Sequence, residues 1–235
     1  MTWSRHGRWR PFTGALVAAG LGLGAAACGS ATPSATGPEP PSSTTSASSS
    51  PSTTPSTAPP ATAQTAPSSI AIGPGTRSTY TVLAQPPPGT CHYRTEDGDP
   101  LPDPSCTPGA INPMVTQADI ATTICRAGWT ADVRPPTSVT DPEKEASALA
   151  YGYTGSFATA EYDHLIPLEL GGDPDDPANL WVEPNDIAGA TSTRNGKDGL
   201  ENTLRELVCS GSLPLATARQ AIASDWVAAA RKYGG

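Results

Sequence analysis

Asp163-His164-Leu165-Ile166-Pro167, followed by Gly171-Gly172 and then Asn179-Leu180-Trp181, lays out a strand, an acidic loop that is long for a hairpin, and a second strand. A carboxylate beside an imidazole can hold a metal ion and activate a water molecule. The stretch between Leu170 and Asn179 reads as the loop of a β-hairpin whose strands run from Glu161 to Leu170 and from Asn179 to Glu183. Downstream, Leu200, Leu204, Leu207 and Val208 fall on one face of a helix expected from about Lys197 to Cys209. Gly211 suits its C-terminal cap. The predicted order is therefore strand, loop, strand, helix, within an α+β domain.

These residues at this spacing resemble the motif of the HNH (ββα-metal) nucleases. That motif opens with Asp-His or His-His on a first strand, sets an Asn at the start of a second strand and finishes on a helix. The match covers Glu161 to Cys209. A wider similarity takes in Cys106-Thr107-Pro108-Gly109, Asn112-Pro113, Thr123-Ile124-Cys125, Gly128-Trp129, Arg134-Pro135-Pro136, Lys197-Asp198, Leu200-Glu201-Asn202 and Leu207-Val208-Cys209-Ser210-Gly211. These segments resemble a group of secreted actinobacterial HNH-like proteins over most of Cys91 to Tyr233. The resemblance implies a small ββα-metal core with additional N- and C-terminal helices.

By that resemblance, phosphodiester cleavage would use His164 as general base, because an imidazole titrates near neutrality. Asp163 would bind one divalent ion, Mg²⁺ for preference, which stabilises the phosphorane and the leaving oxygen. Asn179 would hold the loop that orients His164. In a regular strand Asp163 and His164 point to opposite faces, which the motif resolves by bending the chain at the strand end. The second metal ligand is open among Asn185, Asn195, Asp198, Glu201 and Asn202. Asn195 is the best positional match and Asp198 the better ligand for a hard cation, yet both are equally suited to capping the helix. Lys197 and Arg194 can contact a phosphate or simply form a solvated helix start. Trp181 and Trp226 read as core residues rather than base-stacking platforms, His92 has no evident partner, and Asp173, Asp175 and Asp176 could bind Ca²⁺ but lack the spacing of an EF-hand, so they read as a solvated loop.

The front of the chain points outside the cytoplasm. Arg5, Arg8 and Arg10 precede an apolar run from Phe12 to Ala27 that is short and glycine-rich for a membrane span. Ala25-Ala26-Ala27-Cys28 resembles a bacterial lipobox, which implies cleavage before Cys28 and a lipid on its sulfur. An ordinary secretory signal that happens to contain a Cys is the alternative. Residues 28–77 carry Cys28 and then a Ser/Thr/Pro-rich stretch that cannot bury enough surface to offset its backbone entropy, so it is expected to be a disordered tether. Residues 78–235 are expected to form one domain.

Of the five cysteines, a lipidated Cys28 would leave Cys91, Cys106, Cys125 and Cys209. Four cysteines allow three connectivities in an oxidising compartment. The favoured one joins Cys91 to Cys106 and Cys125 to Cys209, the second pair linking two helices. No Cys-x-x-Cys occurs to support a structural zinc.

Elsewhere, Ser78 to Ala84 alternates like a strand, and Cys91 to Asn112 reads as an irregular disulfide-held loop. Thr116 and Asp119 suggest a capping box for a helix through Ile120, Ile124 and Cys125, ended by Gly128. Arg134-Pro135-Pro136 is an extended connector. Asp141-Pro142 suggests the start of a helix reaching Ala150. A last helix is expected from about Leu215 to Lys232, burying Ala218, Ile222, Trp226 and Ala229.

The formal net charge is −8. Without Arg5, Arg8, Arg10 and Glu39 the balance becomes about −10, which disfavours a tight nucleic-acid binder because such affinity comes largely from Lys and Arg neutralising phosphates. Three readings follow: a cell-envelope lipoprotein nuclease, a non-catalytic envelope binding protein on the same scaffold, and a metal-dependent hydrolase of another phosphoester. Fold alone does not choose among them.

Overall fold

The computed structural model describes residues 69–234. The leader, Cys28 and the tether up to residue 68 lie outside the described residues. Pairing is already present among the described residues ahead of Ser78: β1 (Ala71–Ile72) pairs in parallel with β4 (Ala110–Ile111), and the Asn112 side-chain amide donates to Thr76 Oγ1 at 2.7 Å.

The architecture is α+β. Its centre is an antiparallel hairpin of β5 (Glu161–His164) and β6 (Leu180–Glu183), in the register Glu161 to Glu183 and His164 to Leu180. β5 is shorter than expected, because Pro167 cannot extend the ladder and the chain turns into a 3-10 helix, Leu168–Leu170. Gly171 closes that turn at φ 69°. Gly172 is required by space: a Cβ there would stand 1.7 Å from the Ile166 carbonyl oxygen. The acidic loop follows and leads into β6, whose four residues are all buried.

α3 (Lys197–Cys209) begins and ends where the apolar spacing places it. Leu200, Leu204 and Val208 are fully buried, while Leu207 is only half-buried. They pack with α4 (Leu215–Ser224), α5 (Trp226–Tyr233), α1 (Trp129–Val133) and the 3-10 helix into the main core. The second core gathers Tyr93, Tyr151 and Trp181 with Cys91, between α2 (Thr137–Tyr151) and the hairpin. The disulfides are Cys91–Cys106 and Cys125–Cys209, the favoured pairing. The second ties the end of α3 to the turns before α1.

Several local expectations are corrected. Ser78 to Ala84 forms no strand; it runs unpaired past α2, where the Leu83 amide donates to Glu143 Oε1 at 2.6 Å. Cys91 to Asn112 is more regular than expected: β2 (Arg94–Glu96) and β3 (Asp99–Leu101) form a hairpin. Its Asp97-Gly98 turn has both φ positive, at 54° and 98°. Asp-Gly between paired strands is a tight-turn signature.

Thr116 Oγ1 does donate to Asp119 Oδ2 at 2.5 Å, but the segment to Cys125 is a run of turns. The Thr123 amide reaches back four residues and that of Cys125 reaches back five, so no continuous helical ladder forms. α2 begins at Thr137 rather than Asp141, because Pro136 already sets an extended entry whose carbonyl accepts the Thr140 amide. Pro142 therefore lies inside the helix. The last helix is two: at Asp225 the backbone is extended, at φ −166° and ψ 98°, and its carboxylate caps α5 through the Ala228 amide at 2.9 Å.

Candidate functional site

His164 ends β5. Its Nε2 lies 3.0 Å from the Pro174 carbonyl oxygen. A carbonyl only accepts, so Nε2 carries the proton and Nδ1 keeps its lone pair. The ring is 5% exposed, and burial pushes its pKa down to about 4. His164 is thus a neutral imidazole at physiological pH, with one nitrogen fixed and one basic.

Asn179 builds that arrangement. Fully buried at the entry to β6, its Oδ1 accepts the Ile166 amide at 3.0 Å, and its Nδ2 donates to the carbonyls of Ile166 and Asp173, both at 3.0 Å. One side chain therefore clamps both ends of the loop, next to the Pro174 carbonyl that holds the imidazole. Asp173 finishes the loop, accepting the amides of Asp175, Asp176 and Gly75. Asp173 and Asp175 are buried, at 0% and 1% exposed, which corrects the expectation of a solvated acidic loop.

Asp163 and His164 line one small cleft with Arg134, Glu161, Glu169, Asp198 and Glu201, because β5 stops at His164 and the chain bends there. The cation in contact with Asp163 belongs to the chain. Lys197 Nζ donates to Asp163 Oδ2 at 2.6 Å, to the His164 carbonyl at 2.8 Å and to Glu201 Oε1. Lys197 is 1% exposed. Burial alone would lower its pKa, but the carboxylates of Asp163, Glu201 and Glu183 outweigh that and hold it well above the usual value. Lys197 is accordingly a buried ion-pair centre and not the exposed phosphate contact or solvated helix start expected from sequence. Burial and the neighbouring negative charges raise Glu161 to about 7, burial raises Glu201 to about 8, and Glu183 stands well above the carboxylate range for the same reason.

The helix entry resolves two candidate ligands. Asn195 Oδ1 accepts the Lys197 amide at 2.9 Å, and Asp198 Oδ2 accepts the Asn195 amide at 3.1 Å. This reciprocal pair caps α3. Asn195 also donates to Glu183 Oε2 at 3.1 Å, so both polar atoms of its side chain are engaged. Asp198 keeps one oxygen free of that cap and lines the cleft. Arg194 is exposed and contributes its carbonyl to Asn185, and it does not line the cleft. Asn202 likewise bonds within α3, to the Asp198 carbonyl.

Sequence reasoning missed Glu161, Glu183 and Arg134. Glu161 stands two residues before Asp163 on the same strand face, a signal present in the sequence. Glu183 faces Glu161 only through the hairpin register, which no local pattern announces. The side chains lining the cleft, Glu161, Asp163, Asp198, Glu201 and His164, suit a divalent ion in kind. In position, the Asp163 oxygen nearest α3 is already taken by Lys197. Among the described residues, no group of three or more His, Cys, Asp or Glu is arranged to hold a metal ion.

Two disulfides mark an oxidising compartment. No helix among the described residues is long and apolar enough to cross a membrane. Comparison with protein families, with curated proteins and with solved structures returns no match to this chain.

Proposed function

We propose that this protein is a cell-envelope phosphodiesterase of HNH-like type, with His164 as general base acting on a water at its Nδ1. The observation that carries the reading is the imidazole itself: Nε2 is pinned by the Pro174 carbonyl, burial keeps the ring neutral, and His164 lines a carboxylate-rich cleft. The ring is unprotonated and ready to accept a proton, but with a pKa of about 4 rather than near neutrality it is a weak base, so the reading also needs a metal ion to make the attacking water more acidic. A divalent ion such as Mg²⁺, held by Asp163 with Asp198 or Glu201, would neutralise charge at phosphorus. Asn179 serves as the positioning residue of the loop. Arg134 is the exposed positive group at the cleft and the best phosphate contact there. Anchoring through a lipid on Cys28 belongs to the same proposal.

The test is plasmid nicking by the purified protein, with and without Mg²⁺ or Mn²⁺, beside His164→Ala. Divalent-dependent nicking lost in His164→Ala supports the reading. No nicking with either metal, or equal nicking by the variant, sinks it.

A second reading is favoured by one observation. Lys197 already neutralises Asp163 and hydrogen-bonds Glu201, in the place a metal ion otherwise would take. On that reading the scaffold binds a ligand without catalysis. Failure of the wild-type protein to bind Mg²⁺ or Mn²⁺ in calorimetry, together with no nicking, selects it.

A further inference from the structure

Tyr162 alternates with Asp163 along β5, so its side chain leaves the strand on the other face. There the fold gathers polar atoms without partners. Glu143 on α2 is fully buried; Oε1 accepts the Leu83 amide, and Oε2 has no partner. Asp175 is 1% exposed, and neither of its oxygens is paired. The Tyr162 hydroxyl and the Gln85 amide are buried there too, with no partner beyond each other. These groups are neighbours: Asp175 acts electrostatically on Glu143, both act on Tyr162, and the Gln85 side chain hydrogen-bonds with the Tyr162 hydroxyl. They come from α2, the acidic loop, β5 and the extended segment after Ser78.

The charge there does not balance. Arg77 is the positive group acting on Asp175, whereas Asp173 and Asp176 add negative charge. Asp173 cannot help as a donor, because both its oxygens already accept backbone amides. Buried polar groups are normally satisfied by protein, water or an ion, and buried charges are paired or coordinate metals.

We propose that Glu143, Asp175, Tyr162 and Gln85 form a binding site for one calcium-class divalent cation, distinct from the His164 cleft. All the donors are oxygens: two carboxylates, an amide carbonyl and a phenol. Calcium accepts such mixed sets in flexible geometry and completes them with water, whereas magnesium demands a near-ideal octahedron. The ion would brace the acidic loop. Asp175 follows Pro174, whose carbonyl fixes the imidazole, so filling this site steadies His164 whatever chemistry the cleft performs.

The test uses the full chain at about pH 8, with EDTA or with about 10 mM Ca²⁺, well above the millimolar affinity of weak extracellular calcium sites. Calcium should raise the wild-type Tm by on the order of 5 °C. Glu143→Gln/Asp175→Asn should lose that rise while remaining at least as stable in EDTA, since the uncompensated charges are gone. Should the double variant fail to fold, Asp175→Asn alone is read by Tb³⁺ luminescence excited through tyrosine; emission is expected in wild type and lost in the variant. No calcium-dependent rise in wild type overturns the proposal. So does an equal rise in the double variant, or Tb³⁺ emission that survives Asp175→Asn.

Discussion

At the scale of single residues, Lys197 organises the site. Its ammonium holds Asp163, Glu201 and the end of β5 together from inside the protein. Removing one partner of a buried ion pair strands the other charge, which typically costs about 3–5 kcal/mol. Lys197→Met should therefore lose about that much stability at pH 8, measured by urea denaturation. The loss should shrink at pH 5.5, where Glu201, raised to about 8, is protonated and leaves less stranded charge. A pH-independent loss would mean that packing of the lysine stem, not charge, is what matters. The positions of His164 and Asn179 could be picked out in sequence because they are local: a strand end, and the start of the next strand. The role of Lys197 could not, because it depends on two carboxylates brought from β5 and from one turn further along α3. A Lys beside an Asp at a helix start looks solvated until burial is known.

At the scale of elements, the disulfides and the loop glycines decide how firmly the hairpin and α3 stay in register. Cys125–Cys209 spans 84 residues of sequence and Cys91–Cys106 spans 15. The chain-entropy account assigns about 4–5 kcal/mol to the longer loop and about 3 kcal/mol to the shorter. Cys125→Ala/Cys209→Ala should thus lower the urea midpoint more than Cys91→Ala/Cys106→Ala; the opposite order would show that the shorter bridge protects structure beyond its own loop. Where sequence and structure agree, the signals are strong and local. α3 has a clean apolar face, a capping pair at Asn195 and Asp198, and Gly211 at φ 78° after its end. Where they part, a competing tertiary demand wins. Trp226 must enter the main core and donate its Nε1 proton to the Pro100 carbonyl at 2.8 Å, and the helix breaks at Asp225 to allow it. Ser78 to Ala84 has the alternation of a strand but no neighbouring strand to pair with.

At the scale of the whole molecule, the domain holds more buried acid than its cations balance, and stability should follow pH accordingly. Burial is the main cause in each case: Glu143 and Glu161 are raised to about 7, Glu201 to about 8 and Asp175 to about 6. A carboxyl whose folded pKa exceeds its unfolded value binds more protons in the folded state, so stability falls as pH rises between the two values. For these four groups that window runs from about pH 4 to about pH 8. His164 works the other way. Its folded pKa is depressed to about 4, so its contribution rises with pH only up to about 6.5. Lys197 stands above its ordinary value, so its contribution is complete below about pH 10 and flat across the window. Once His164 has finished titrating, the carboxyls act alone. In EDTA the Tm should therefore decline between pH 6.5 and pH 8.5, by roughly 5 °C if two or three groups respond. Calorimetric scans at several pH values measure this. A Tm that stays level or climbs over that interval would mean that the buried carboxyls are ionised and paired throughout. Because bound cations require deprotonated ligands, adding Ca²⁺ or Mg²⁺ should restore most of the lost Tm at pH 8.5 and little of it at pH 5.5.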